Sequence, residues 1–371
     1  MNQLNSSTSE IAIVGSDGST IEDLYCDARN YEPELHWNYV AKGIVCRGET
    51  SVLYGPSNCG KSALVCHLGH CIITGIPFFS ANVTKGAVIH VCAEAPKSVQ
   101  ERAHAYHDDE SAAPYFIRKA GVDLSSKDEV ERFLVEVRGL SDTSPHEVVL
   151  VVFDTLARSI GVLDENCSSS MTHIAETAEY IAAELNAHVM LVHHTGKDAE
   201  RGGRGSSALR GAVFTELSLK PDGKLVVLSQ EKQRTMPKSL SVQFGTVPVV
   251  LGKDEDDEDR TTVHLVELEG KVENARNTGR EKDNSGCKTA VLTALHIRGL
   301  IGSRSSEPFR PREILDSLPT ELFGSIAMDS RIKRVSRALE ELADRSKPTV
   351  MKVDQGWCLI QPHAAESSGN E

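Results

Sequence analysis

The chain reads as an α/β protein with a mostly parallel sheet, followed by a small α+β unit at its C-terminal end. Three observations carry this. Between Glu49 and about Val272, β-prone and helix-compatible stretches alternate, which implies parallel strands with helices on both faces. The stretch Val148–Phe153 is apolar at every position, as a strand buried on both faces must be. After a polar, aperiodic stretch at Asn274–Gly286, the pattern restarts as three short helices and a hairpin.

Taken in order, residues 1 to about 20 are rich in Ser, Thr, Asn and Gly, and a flexible tail is placed at 1–30. The alternation then runs through Ser51–Tyr54 (strand), Lys61–Thr74 (helix), Gly86–Ala93 (strand) and Pro96–His107 (helix). It continues with Lys127–Gly139 (helix), Glu147–Phe153 (strand), Ser170–Asn186 (helix) and His188–Val192 (strand). Lys224–Ser229, Ser239–Phe244 and Thr262–Leu268 are strands separated by turns without helices, so they are expected as antiparallel additions at one sheet edge. The acidic run Asp254–Asp259 reads as a solvated loop, because like charges in a block repel one another into extension. This first domain is placed at 31–273 and the linker at 274–286.

Residues 287–362 form the second unit, with 363–371 as a tail. Helices are expected at Lys288–Arg298, Arg310–Leu318 and Asp329–Asp344, and a hairpin at Thr349–Val353 and Trp357–Ile360 around Asp354-Gln355-Gly356. Three helices and a two-stranded wing are the outline of a winged helix. Ile332, Val335, Leu339 and Leu342 share one stripe of the third helix, whereas Lys333, Arg334 and Arg337 face elsewhere. From Ser285 to Pro362 there are 12 Lys/Arg and 9 Asp/Glu, a net of +3 that is a weak nucleic-acid footprint; a wing used for protein contacts is an equal reading.

The bulk numbers bound the possibilities. A length of 371 residues suggests two domains. The longest apolar run is far short of the roughly 20 residues that span a bilayer, so no membrane partner is expected. Nine cysteines without C-x-x-C pairs fit a reducing cytoplasm. A net charge of −13 argues against coating nucleic acid over the whole surface, but leaves room for a local basic channel.

The stretch Gly55-Pro56-Ser57-Asn58-Cys59-Gly60-Lys61-Ser62 fits G-x-x-x-x-G-K-[ST] in full, between the strand-prone Thr50–Tyr54 and the helix-compatible Ala63–Gly69. A strand, a glycine loop and a helix N-terminus together turn backbone N–H groups onto phosphates. Residues 55–63, ending on Ala63, are therefore expected to bind ATP, with Lys61 on the β- and γ-phosphates and Ser62 on Mg²⁺. Asp154 closes the most apolar strand and is expected to assist the metal. Glu94 ends Gly86–Ala93 and is placed to polarise the attacking water. His194 ends a third strand and can hydrogen-bond the γ-phosphate. Cys66-His67-Leu68-Gly69-His70-Cys71 offers four soft ligands, but its two i,i+4 pairs lie about 100° apart around a helix and do not converge on one metal. Cys59, inside the loop, is expected to be open to oxidation or alkylation.

With the later segments His90–Pro96, Phe153–Arg158, Val192–Lys197 and Arg204–Ala212, the chain resembles the RecA-type ATPases of the plasmid RepA hexameric replicative helicases and related phage and plasmid AAA-family ATPases. The resemblance spans about residues 35–270. It implies a RecA-like core in a ring, with sites between subunits completed by a neighbour, and single-stranded DNA as partner. Lys232-Gln233-Arg234 resembles the Lys-x-Arg of DnaB-like helicases, which implies Lys232 and Arg234 as cations acting in trans; Arg210 is the alternative. The resemblance also makes Lys197–Arg210 a DNA-gripping loop, with Arg201, Arg204 and Arg210 on the phosphate backbone. It lacks aromatic residues, so weak sequence preference follows. A nucleotide-gated DNA-binding clamp without unwinding shares every one of these residues.

Overall fold

The computed structural model describes residues 28–29, 32, 36–106, 112–194, 204–223, 225–238, 240–267, 308–316, 327–343, 350–353 and 356–359. The chain divides into two compact units, Met1–Trp37 and Asn38–Glu371. In the first, the described residues show a turn at Ala28–Arg29.

The second unit begins with β1 (Tyr39–Ala41), β2 (Val45–Cys46), β3 (Thr50–Gly55), α1 (Lys61–Thr74), β4 (Ala87–Cys92) and α2 (Pro96–His104). It continues with β5 (Tyr115–Arg118), α3 (Lys127–Asp142), β6 (Val148–Asp154), α4 (Ser168–Leu185), β7 (His188–His194) and α5 (Arg204–Ala212). Then come β8 (Thr215–Asp222), β9 (Leu225–Gln233), β10 (Ser241–Lys253) and β11 (Asp259–Glu267). The C-terminal part contributes α6 (Pro311–Asp316), α7 (Met328–Ala343), β12 (Val350–Val353) and β13 (Gly356–Leu359).

One nine-stranded sheet organises the unit, in the order β11-β10-β9-β8-β3-β7-β6-β4-β5. From β8 to β5 all neighbours run parallel. β9, β10 and β11 add antiparallel at the β8 side, as the helix-free spacing predicts. The parallel strands β4 and β6 are buried at every position, which is why both read as apolar runs. Apolar cores form on both faces. Leu64, Leu68 and Ile72 of α1 pack on one side, and Phe133 of α3 with Ile174 and Ile181 of α4 on the other. Ser126 caps α3 by accepting the Glu129 N–H, and Asn186 ends α4 in the left-handed conformation.

The acidic run forms the exposed tip of the β10–β11 hairpin, where Asp254 accepts backbone N–H bonds from Asp256 and Glu258. His67, Cys71 and Glu267 come together in the core, with His67 Nε2 3.0 Å from a Glu267 oxygen that also accepts the Phe79 N–H. Only one of the two i,i+4 pairs takes part. The contacts fasten α1 to the last strand of the sheet.

In the C-terminal part, Val335, Ala338 and Leu339 of α7 form a small core with Phe309, Ile314, Leu315, Val350 and Trp357, and Val266 of β11 joins it. Lys333, Arg334 and Arg337 are exposed. The helix expected at Lys288–Arg298 lies outside the described residues, as does the linker. No helix among the described residues is long and apolar enough to cross a membrane.

His188 gives a stability prediction. Fully buried at the start of β7, it donates through Nδ1 to the Cys46 carbonyl at 2.8 Å and accepts at Nε2 from Ser51 at 2.7 Å. Both nitrogens of the neutral ring are satisfied. Burial therefore pushes its pKa from 6.5 down to about 4. The unfolded chain binds a proton that the folded chain refuses, so stability is whole above pH 6.5 and falls as pH drops toward 4, by about 3 kcal/mol. Urea unfolding at pH 7 and at pH 4.5, compared between wild type and His188→Gln, should show a shallower acid loss in the variant.

Candidate nucleotide site

Strand register builds the site. In Cα register, Gly55 of β3 lies opposite His194 of β7, Asp154 of β6 opposite Val192 of β7, and Cys92 of β4 opposite Asp154. The parallel strands thus end together, and their last residues, with Glu94 two positions beyond β4, surround the loop that leaves β3. In open parallel sheets this carboxyl edge is where ligands bind.

The loop's own geometry follows from its glycines. A Cβ on Gly55 would lie 2.8 Å from Cys59 Sγ and 2.9 Å from the Leu219 carbonyl, so β8 and the loop close in only because that position is bare. Asn58 and Gly60 take positive φ, 60° and 92°, which turns the chain into α1. Gly60 caps α1 without a side-chain hydrogen bond, and no acidic residue occupies the first turn. The first N–H groups of α1 and its positive dipole end are left to an anion.

Lys61 is 5% exposed and its ammonium is folded into the loop. It donates to the carbonyls of Gly55 at 2.9 Å and Pro56 at 2.7 Å, and lies 3.1 Å from His194 Nδ1. Burial lowers its pKa, against the raising effect of Cys59, Asp154 and Glu94. With Lys61 donating, Nδ1 of His194 is the acceptor and the proton resides on Nε2, 4.0 Å from Glu94 Oε2. Ser57 Oγ lies 3.4 Å from the same Nδ1.

Ser62 donates to Asp154 Oδ2 at 2.7 Å. Burial pushes the Asp154 carboxyl up, but contact with His90, the Ser62 hydroxyl and the charge of Lys61 outweigh it, and the pKa falls below the ordinary aspartate value. A hydroxyl and an ionised carboxylate side by side are hard oxygen donors of the kind Mg²⁺ takes with substrate phosphates. Ser62 and Asp154 fit that ion. Glu94 is exposed toward the site and accepts from Thr155 Oγ1 at 3.1 Å.

The expected residues Lys61, Ser62, Asp154, Glu94 and His194 therefore share one site. Ser57 of the expected loop joins them through His194, and two residues not expected do so as well: Thr155 and His90. His90 is fully buried, its Nε2 3.4 Å from Asp154 Oδ2 and its Nδ1 2.9 Å from the Tyr115 hydroxyl. The one histidine inside the otherwise apolar run Gly86–Ala93 was the signal for it.

The other expected residues are placed as follows. Cys59 is buried beneath the loop, and burial raises its thiol pKa, so it is not open to oxidation or alkylation. Lys197–Arg210 is not wholly a loop. Its C-terminal part is the helix α5; residues 195–203, with Arg201, lie outside the described residues, and Arg204 opens the helix. Arg210 turns back onto the core: its Nε lies 2.5 Å from Glu216 and its guanidinium 5.0 Å from the centre of the Tyr54 ring. Lys232 and Arg234 are likewise engaged in their own chain. Lys232 donates to the carbonyls of Arg210, Gly211 and Val213, and Arg234 to that of Gly211 at 2.6 Å.

Comparison with known proteins adds to this geometry. Residues 25–200 match the family model described as "AAA domain". No curated protein matches the chain. Among solved structures, the chain is similar to one described as an ATPase domain, at 14% identity and a TM-score of 0.40, covering 54% of this chain and 82% of that one. It is also similar to a DnaB-like replicative helicase studied for its interactions with primase, at 14% identity and a TM-score of 0.41, covering 54% of this chain and 55% of that one. The complete phosphate loop thus lies at the carboxyl edge of a mostly parallel α/β sheet, within the stretch 25–200 that matches the AAA-domain model.

Proposed function

We propose that the chain is a Mg²⁺-dependent ATP hydrolase that assembles as a six-membered homo-oligomeric ring and moves along single-stranded DNA, unwinding duplex in plasmid- or phage-type replication. The observation that carries the hydrolase reading is the meeting of Lys61, the Ser62–Asp154 pair, Glu94 and His194 around one loop. Mg²⁺, when bound by Ser62 and Asp154, supplies positive charge against the phosphate oxygens. Lys61 exchanges its loop carbonyls for the β- and γ-phosphates. Glu94, held by Thr155, takes the proton of the attacking water as the bond between the γ-phosphorus and its bridging oxygen breaks. His194 lies between Lys61 and Glu94 and precedes the segment leading to α5, so loss of the γ-phosphate can be passed along the chain there. The resemblance supports the ring and the DNA partner, and the exposed Lys333, Arg334 and Arg337 suit a winged-helix-like module in contact with nucleic acid.

An ATPase assay with and without single-stranded DNA, alongside sizing with ATP, tests the proposal. DNA should accelerate hydrolysis several-fold in an assembled species, and a forked duplex should open. No acceleration, with a chain that stays monomeric, removes the motor. Binding of DNA in ATP without opening of the fork makes the protein a clamp.

A further inference from the structure

Three of the basic residues expected to reach DNA or a neighbouring subunit, Arg210, Lys232 and Arg234, gather around the carboxyl end of α5. That end leaves backbone carbonyls without helical partners and carries the negative end of the helix dipole, so a cation is favoured there. Lys232, on β9, meets this need completely. Its ammonium has three N–H bonds, and three carbonyls accept from it: Arg210 at 2.9 Å, Gly211 at 2.7 Å and Val213 at 2.7 Å. The side chain is half-buried. Arg234 is placed differently. It is exposed, gives one N–H to Gly211, and rests its guanidinium 5.7 Å from the centre of the Phe214 ring. A guanidinium carries five N–H bonds, so most of its donors remain for another partner.

We propose that Lys232 acts within its own subunit, as a positioning residue that clamps the carboxyl end of α5 to β9, and that of this pair only Arg234 serves a neighbouring nucleotide. The clamp stands on the geometry of one chain; the assignment of Arg234 rests on the ring-shaped ATPase reading. The clamp gives α5 a defined seat. Arg210, whose own carbonyl is one of the three clamped, contacts Tyr54 and Glu216 on the paired strands β3 and β8. A displacement of α5 would be felt at Tyr54, one residue before Gly55. Reaching into another subunit would oblige Lys232 to break all three bonds at once.

Two measurements on the full chain test this. In hydrogen exchange without nucleotide, Lys232→Ala should speed exchange of the amides at 208–213 by at least about tenfold, the equivalent of one charge-assisted bond. Arg234→Ala should change them less. Lys232→Gln, which keeps the stem and two donors, should lie between, and it replaces the alanine variant should that one fail to fold. Unchanged exchange in both Lys232 variants overturns the clamp. The second measurement mixes subunits. Lys61→Ala chains have a dead phosphate loop but intact basic residues. Mixed with Arg234→Ala chains they should restore ATPase activity, because each dead-loop subunit lends its Arg234 across the interface. Mixed with Lys232→Ala chains they should not. Recovery in the Lys232 mixture overturns the assignment in cis, and failure of both mixtures overturns the role of Arg234. Should wild type neither assemble nor hydrolyse ATP, the ring reading fails by itself while the exchange result still decides the clamp.

Discussion

Lys61→Ala should abolish nucleotide binding and leave the fold standing. The ammonium is the only side-chain cation the structure brings into the loop among the described residues, and its three contacts are to two loop carbonyls and His194. Those carbonyls are reachable by water once the side chain is gone, so the free protein loses little. The phosphates lose their one fixed positive charge besides the metal. Removing one partner of a close, desolvated charge pair costs about 3–5 kcal/mol, equivalent to roughly two to four orders of magnitude in Kd. Calorimetric titration with ATP and Mg²⁺ measures this directly. Thermal unfolding supplies the control, since wild type should gain stability with saturating nucleotide by mass action and the variant should not. A variant that binds ATP within a fewfold of wild type would show that Lys61 is a structural plug of the loop.

The residues around this loop were legible because of where buried parallel strands must end. A strand covered on both faces reads as an unbroken apolar run, and the first polar residue after it marks the carboxyl edge of the sheet. Val148–Phe153 ending on Asp154 and His188–Val192 followed by His193 and His194 are such cases, and register does the rest. The start of α1 was legible for a similar reason, since the glycine loop determines the first helical residue. Less could be read where tertiary contact overrides local preference. α5 is Gly- and Ser-rich, with little intrinsic reason to be a helix. It is held by α4 beneath it and, at its end, by Lys232 of β9 and by Arg234 just beyond that strand. From sequence those cations look outward, because nothing in the letters shows which carbonyls lack a partner. β5 and β8 were hidden too. Tyr115–Arg118 is only four residues long and half-buried, and Thr215–Asp222 mixes an apolar alternation with a polar end. His90 was passed over for the opposite reason: it lies within an apolar run rather than after it.

Glu94→Gln should keep ATP binding and lose turnover, and this separates the water-activating role from the binding one. The carboxylate accepts the Thr155 hydroxyl at 3.1 Å and is otherwise open to the site, whereas Asp154 is buried against Ser62 and His90. Two carboxylates on neighbouring strand ends are thus set apart by environment. The buried one is held ionised beside the Ser62 hydroxyl proposed to take the metal, and the exposed one keeps an oxygen for a water molecule. Glutamine preserves size and the bond from Thr155 but removes the basic oxygen, so kcat should fall by about 10²–10⁴, the usual range for a positioned general base. KM for ATP should change little. Asp154→Asn should instead raise the Mg²⁺ concentration needed for half-maximal activity, because that substitution removes a charge next to Ser62. Thr155→Ala should give a smaller loss in kcat than Glu94→Gln, since it frees Glu94 without neutralising it. Single-turnover hydrolysis with saturating Mg²⁺ and ATP distinguishes these outcomes. Full activity in Glu94→Gln would move the base to another group, and the order of effects among the three variants would then show which strand end holds it.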